Sequence, residues 1–96
     1  YFVAYTQLVA MAGARSVVVP TRAEDGYRLS PAALARAITP RTRWLILNSP
    51  CNPSGAAYSA AELRALGEVL LRHEQVWTLA DDIYEHLIYD GVRFAT

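Results

Sequence analysis

The sequence predicts an α/β fold in which helices flank a largely parallel sheet. Two short apolar runs, 44–47 and 77–80, have the length and composition of strands. One amphipathic segment of helix length separates them, and this order predicts a right-handed crossover between parallel strands. The near-continuous apolar character of the first run is typical of a sheet that is covered on both faces.

The elements before these strands are predicted from local start and stop signals. Residues 6–12 are predicted as a short helix, with Thr6 as its N-cap and Gly13 as its C-cap. The β-branched run 17–19 is predicted as a strand that ends at Pro20. With this strand included, the predicted order is helix, strand, helix, strand, helix, strand.

Two further helices have clear N-terminal signals. Ser30 followed by Pro31 predicts a helix start, and Pro40 ends that helix. The segment 59–62 reads Ser-Ala-Ala-Glu, a capping box, and opens a helix that is predicted to run to about His73. Three leucines fall on one face of this last helix: Leu63, Leu66 and Leu70.

Composition excludes several classes of function. Nine acidic residues balance nine arginines, there is no lysine, and no basic stripe predicts nucleic-acid binding. No apolar run has the length of a membrane span. The single cysteine, Cys51, argues against a disulfide framework and fits a reducing cytoplasm.

The chain begins at Tyr1 rather than at methionine, and 53% of its residues are hydrophobic. We therefore expect a piece of a larger protein with exposed apolar patches and no complete domain boundary within residues 1–96.

Polar side chains follow both predicted strands at the same end. Asn52 lies in a loop that contains two prolines and a glycine, and Asp81 directly follows the second strand. Ligands bind at this end of open α/β sheets, so these residues are candidates for a binding site. Adjacent residues in extended backbone point in opposite directions, so only one of Asp81 and Asp82 can face the site, and we choose Asp81.

Each candidate also has a structural interpretation. Asn-Pro is common in turns, and Asp is common at helix caps. Tyr84 lies three residues after Asp81 and returns to the same side if a helical turn begins there. An aromatic group formed by Tyr1, Phe2 and Tyr5 offers a stacking surface, although such residues are more often core.

Two spaced motifs give the chain a specific resemblance. Residues 52–55, Asn-Pro-Ser-Gly, and residues 81–85, Asp-Asp-Ile-Tyr-Glu, resemble the Asn-Pro-Thr-Gly and Asp-Glu-Ile-Tyr-Glu signatures of class I/II aminotransferases. These are fold-type I enzymes that use pyridoxal 5'-phosphate, and the segment 38–91 is especially similar to the bacterial aspartate aminotransferase branch. The resemblance covers essentially all 96 residues and implies part of the large, cofactor-binding domain.

The resemblance implies a role for each matching residue. Asp81 matches the aspartate that pairs with the pyridine nitrogen of the cofactor. Asn52 matches the asparagine that bonds the ring's 3-oxygen and helps to hold the substrate carboxylate, and Tyr84 matches the tyrosine that bonds the same ring oxygen. Phe2 stands where many members have a tryptophan stacked on the ring. The Asn52–Pro53 peptide bond is expected to be cis.

The resemblance also implies what lies outside this chain. The family's Schiff-base lysine has no counterpart here, so the chain alone is expected to be inactive. The intact protein is expected to be a homodimer that moves an amino group from an L-amino acid, with aspartate as the best guess, to a 2-oxo acid such as 2-oxoglutarate. A carbon–sulfur lyase of the same fold and the aminotransferase-like effector domain of a transcription regulator remain alternatives.

Overall fold

A computed structural model of the protein describes residues 2–96, so Tyr1 of the predicted aromatic group lies outside the described residues. Three α-helices, one 3-10 turn and two strands follow one another along the chain: α1 (Ala4–Met11), the 3-10 turn (Ala23–Asp25), α2 (Pro31–Ala37), β1 (Trp44–Asn48), α3 (Ala60–Leu70) and β2 (Trp77–Asp81). Within residues 2–96, no helix combines the length and the hydropathy that a membrane span requires.

The two strands form a parallel pair, as predicted. Trp44 lies opposite Trp77 at one end of the ladder, and Asn48 lies opposite Asp81 at the other. The crossover between the strands contains α3, which starts with the predicted capping box. The Ser59 hydroxyl accepts a hydrogen bond from the Glu62 backbone N–H, and the Glu62 carboxylate accepts one from the Ser59 backbone N–H.

A small core lies between one face of the sheet and the helices α2 and α3. Leu34 of α2, Leu66 of α3 and Tyr58 are buried together. Leu45 and Leu47 of β1 pack against this cluster, which places the odd-numbered residues of β1 on the helix-covered face. Side chains alternate along a strand, so the even-numbered residues of β1 belong to the opposite face.

The opposite face of the sheet is largely open within the described residues, except at its carboxyl end, where Asn48 is buried. Trp44 is 60% exposed and Trp77 is 68% exposed, and their ring centroids lie 6.3 Å apart. Leu79 of β2 shares this face and is also exposed. The expected apolar patch is therefore present. The expectation that the sheet is covered on both faces holds within residues 2–96 only for β1 on the α2–α3 side, because Thr78 and Ala80 of β2 are exposed on that side.

Three predictions need correction: one concerns a strand, and two concern the ends of helices. The predicted strand 17–19 is wrong, because these valines have no partner strand among the described residues and form no regular element. Helix α1 starts at Ala4 rather than after Thr6. Thr6 lies inside the helix, so its hydroxyl donates to the Val3 carbonyl instead of capping the helix start. Helix α3 ends at Leu70, before His73, and the chain continues as turns.

The predicted end of α1 is close to the observed one. Gly13 has a φ of 73°, a left-handed conformation that glycine adopts without strain. Its N–H donates to the Ala10 carbonyl, and the Ala14 N–H donates to the Val9 carbonyl. These two bonds form the Schellman arrangement that ends many helices.

Candidate functional site

The polar residues that follow the two strands meet at the carboxyl end of the sheet. The loop that follows β1 carries Asn52, and the turn that follows β2 carries Tyr84. The Asn52 side-chain amide donates a hydrogen bond to the Tyr84 hydroxyl oxygen at 3.3 Å, across 32 residues of sequence. Two of the predicted site residues are therefore in direct contact.

Asp81 lies at the same end, on the open face of the sheet. Its carboxylate accepts a hydrogen bond from the Tyr5 hydroxyl and a longer one, 3.3 Å, from the Ile83 backbone N–H. The neighbouring Asp82 lines the groove between α3 and the sheet instead. The two adjacent carboxylates therefore diverge, as the extended backbone predicts.

Phe2 is joined to Asp81 through Tyr5. The rings of Phe2 and Tyr5 pack edge to face, with centroids 5.9 Å apart and planes at 81°. Phe2 is 47% exposed, so one part of its ring stays free for a further contact. Burial and the hydrogen bond to Asp81 raise the pKa of Tyr5, which keeps its hydroxyl a donor at neutral pH.

Tyr5 is a residue whose contact with Asp81 sequence reasoning missed. Its hydroxyl meets a carboxylate that lies 76 positions later in the chain. Its only local signal is a spacing of three from Phe2, which places both rings on one side of a helical turn.

Asn48, the last residue of β1, is a second residue that sequence reasoning missed. It is only 8% exposed, and both ends of its amide are used. The amide nitrogen donates to the Asp81 carbonyl at 3.0 Å, and the amide oxygen accepts from the Asn52 backbone N–H at 3.0 Å. A polar residue that ends an apolar strand opposite Asp81 is the signal that could have identified it.

The loop that carries Asn52 is closed by its own backbone. The Gly55 N–H donates to the Cys51 carbonyl at 2.7 Å, and the Cys51 N–H donates to the Ala56 carbonyl at 2.9 Å. The Asn52–Pro53 peptide bond is cis, which confirms the prediction, and the Ser49–Pro50 bond is cis as well. Asn52 is thus presented by a compact loop rather than by an extended one.

The hydrogen bonds still available at the site define what it can bind. Asn52 keeps one amide N–H, and the Tyr84 hydroxyl proton remains free to donate, because its oxygen is the acceptor from Asn52. Asp81 offers a carboxylate that pairs with no arginine or histidine of residues 2–96. Two donors and one carboxylate at the same end of the sheet suit a flat ring that carries an anionic oxygen and a protonated nitrogen. Residues 2–96 contain no cluster of potential metal ligands.

Comparisons of sequence identify relatives of this chain. The family profile "Aminotransferase class I and II" matches residues 1–96. The aspartate aminotransferase of Rhizobium meliloti (strain 1021) is 55% identical over 96 residues, which are all of this chain and 23% of that protein. The aspartate/prephenate aminotransferase of Cereibacter sphaeroides is 54% identical over the same 96 residues, 24% of its length. The chain thus spans about a quarter of the length of the curated relatives it matches.

Comparisons of structure identify the same kind of relative as the comparisons of sequence. The crystal structure of the Rhizobium meliloti aspartate aminotransferase matches all of this chain and 24% of that chain, with a TM-score of 0.97 at 55% identity. The Thermus thermophilus aspartate aminotransferase with maleate matches 99% of this chain and 25% of that chain, with a TM-score of 0.91 at 43% identity. On the match along its whole length and on this shared fold, the chain belongs to the class I and II aminotransferase family.

Proposed function

We propose that this chain forms part of the cofactor-binding large domain of an aminotransferase that uses pyridoxal 5'-phosphate. The proposed reaction moves an amino group from an L-amino acid, with aspartate as the first choice, to a 2-oxo acid such as 2-oxoglutarate. Enzymes of this family generally use pyridoxal phosphate. The observation that carries the proposal is the Asn52–Tyr84 donor pair beside the Asp81 strand end.

Asp81 is proposed to hold the protonated ring nitrogen. The cofactor, when bound, supplies a ring that withdraws electrons from the substrate Cα. A carboxylate next to the nitrogen keeps the proton on it, because opposite charges in a partly buried site attract more strongly than in water. The Asp81 carboxylate accepts one hydrogen bond from the Tyr5 hydroxyl and one from the Ile83 N–H. Its two oxygens can accept further hydrogen bonds, and one of these is proposed to come from the protonated ring nitrogen.

Asn52 and Tyr84 are proposed to hold the ring oxygen. The Tyr84 hydroxyl proton and the remaining Asn52 N–H can both donate to an anionic oxygen, and such charge-assisted bonds are stronger than neutral ones. The side chain of Asn52 is also proposed to contact the substrate carboxylate. Phe2 offers its exposed ring to the flat face of the cofactor.

The remaining functional groups are proposed to lie outside this chain. Residues 1–96 contain no lysine, so the amine that would bind the cofactor covalently and move the substrate proton comes from another part of the polypeptide. We also propose that the intact protein is a homodimer, as aminotransferases of this family generally are.

A comparison of two adjacent carboxylates tests the proposed role of Asp81. In the full-length protein that contains this chain, Asp81→Ala is expected to reduce transamination at least about a hundredfold, the usual cost of losing one preorganised electrostatic group. Asp82→Ala is the matched control, because it removes the same charge from the opposite face of the sheet, and it should keep activity within a few-fold. Near-normal turnover by Asp81→Ala in folded protein would refute the proposed role.

The reaction itself is tested with the unaltered full-length protein. We expect L-aspartate and 2-oxoglutarate to be converted into oxaloacetate and L-glutamate, measured as product formed per mole of cofactor. Release of pyruvate and sulfide from cysteine without an amino acceptor would favour a carbon–sulfur lyase instead. Cofactor binding without turnover of any amino acid would favour an effector domain.

A further inference from the structure

The side chain of Asn48 bridges the two segments that carry the candidate site. Its amide nitrogen donates to the Asp81 carbonyl at 3.0 Å, and its amide oxygen accepts from the Asn52 N–H at 3.0 Å. Both contacts are made to backbone atoms. They therefore constrain the backbone positions of Asn52 and Asp81 and leave the side chains of these two residues available for a ligand. Asn48 itself is buried, with 8% of its surface exposed.

The contacts of Asn48 lie at the carboxyl end of the two strands, next to the last pair of the ladder. Asn48 lies opposite Asp81 in register, and the Ser49 backbone N–H donates to the same Asp81 carbonyl at 3.2 Å. The Asp81 carbonyl therefore accepts hydrogen bonds from two consecutive residues, Asn48 and Ser49. The opposite end of the Asn48 amide holds the first residue of the turn at Asn52.

Asparagine is well suited to this position. A planar amide carries a donor and an acceptor on one short, rigid group, so it can meet an N–H and a carbonyl at the same time. Aspartate would present an oxygen to the Asp81 carbonyl. Alanine would leave the Asn52 N–H without its partner and the Asp81 carbonyl with only the bond from the Ser49 N–H. Both polar atoms of the buried Asn48 amide therefore have a hydrogen-bond partner.

We propose that Asn48 is a positioning residue for the cofactor. It holds the backbones of Asn52 and Asp81 at the separation at which their side chains contact one and the same ring. This inference rests on the proposed function, because it assigns Asn48 to the cofactor contacts of Asn52 and Asp81. Asn48 acts through these two residues and does not itself touch the ring.

The test compares Asn48→Ala with Ser49→Ala in the full-length protein. Ser49 is a matched control, because it is also buried, with 4% exposed, and Ser49→Ala removes only the hydroxyl that accepts a hydrogen bond from the Tyr58 N–H at 3.2 Å. The Ser49 backbone N–H that donates to the Asp81 carbonyl is kept. The measurements are the Kd for pyridoxal phosphate, from fluorescence titration of the apoprotein, and thermal unfolding of the apoprotein. Both variants are expected to unfold at lower temperature, but only Asn48→Ala should bind the cofactor about tenfold or more weakly. An unchanged Kd, or an equal increase in both variants, would overturn the inference.

A double variant separates positioning from general loosening. Because Asn48 acts partly through Asn52, the increase in Kd for Asn48→Ala with Asn52→Ala should be smaller than the product of the two single increases. Increases that multiply would show independent action and overturn the inference. If Asn48→Ala does not fold, Asn48→Ser takes its place, since its short hydroxyl cannot reach both partners. If the unaltered protein does not bind pyridoxal phosphate, the proposed function fails together with this inference, whereas normal binding by the variant defeats the inference alone.

Discussion

Removal of a single oxygen from Tyr58 tests how the site loop is anchored to the core. Tyr58 is 6% exposed and packs against Leu34 and Leu66, and its hydroxyl oxygen accepts a hydrogen bond from the Leu29 backbone N–H at 2.7 Å. Its own backbone N–H donates to the Ser49 hydroxyl. Tyr58 therefore connects the end of the Asn52 loop to the segment that leads into α2.

The magnitude follows from what the variant Tyr58→Phe keeps and what it loses. The ring stays, so the packing against Leu34 and Leu66 is preserved and no sizeable cavity opens. The Leu29 N–H loses its acceptor, and a partly buried donor without a partner costs about 1–3 kcal/mol. A central cost of about 2 kcal/mol corresponds to roughly thirtyfold more frequent opening at this amide.

Hydrogen exchange of the Leu29 amide in the full-length protein, followed by mass spectrometry near pH 7, measures this opening directly. Burial raises the pKa of Tyr58, so the hydroxyl stays protonated under these conditions. Tyr27→Phe is the matched control, because Tyr27 is 48% exposed, and it should change the exchange of Leu29 less than about threefold. Unchanged exchange of Leu29 in Tyr58→Phe would refute the assigned hydrogen bond.

Three further predictions concern the site, a cap and a helix. Tyr5→Phe removes the hydroxyl that donates to Asp81. A bond to a charged group contributes about 1.5–3 kcal/mol, so pyridoxal phosphate should bind about tenfold more weakly, and equally tight binding in a fluorescence titration would contradict this. Hydrogen bonds from Ser59 hold the pKa of Glu62 below its ordinary value. The protein should therefore lose stability as pH falls from about 5 to about 3, and Glu62→Gln should lose less, measured as the shift of the urea midpoint. A Cβ added at Gly67 meets no atom within 4 Å, so Gly67→Ala should stabilise α3 by about 1 kcal/mol, and a lower urea midpoint would instead reveal a segment packed on Gly67.

The parts of the fold that the sequence predicts correctly are those determined by neighbouring residues. The Ser30 hydroxyl accepts from the Ala33 N–H, and Ser59 and Glu62 form their capping box within four residues. Such caps depend on nothing outside the helix start, so the pattern is sufficient. The strand at 17–19 failed for the opposite reason, since strand formation requires a partner and β-branched residues alone do not supply one.

The same distinction separates the site residues that were predicted from those that were missed. Asn52, Asp81 and Tyr84 belong to two recognisable motifs, and the parallel order of the strands brings those motifs to one edge. Tyr5 and Asn48 contact Asp81 across 76 and 33 positions. The polar end of an apolar strand is a signal for Asn48, whereas the spacing of Tyr5 from Phe2 indicates no contact with Asp81. Only the folded chain reveals that both converge on Asp81.

The open face of the sheet explains why these contacts occur at its carboxyl end. The register places Trp44 beside Trp77 and Ile46 beside Leu79 on this face, and only the last pair, Asn48 and Asp81, is polar. A carboxylate at the edge of an apolar surface is unfavourable unless hydrogen bonds or a cation satisfy it. Tyr5 supplies a hydroxyl from above the sheet, and Asn48 satisfies the backbone of the same residue. The charge of Asp81 is left without a cation among residues 2–96, which is the property that a carboxylate needs in order to hold a positively charged ring.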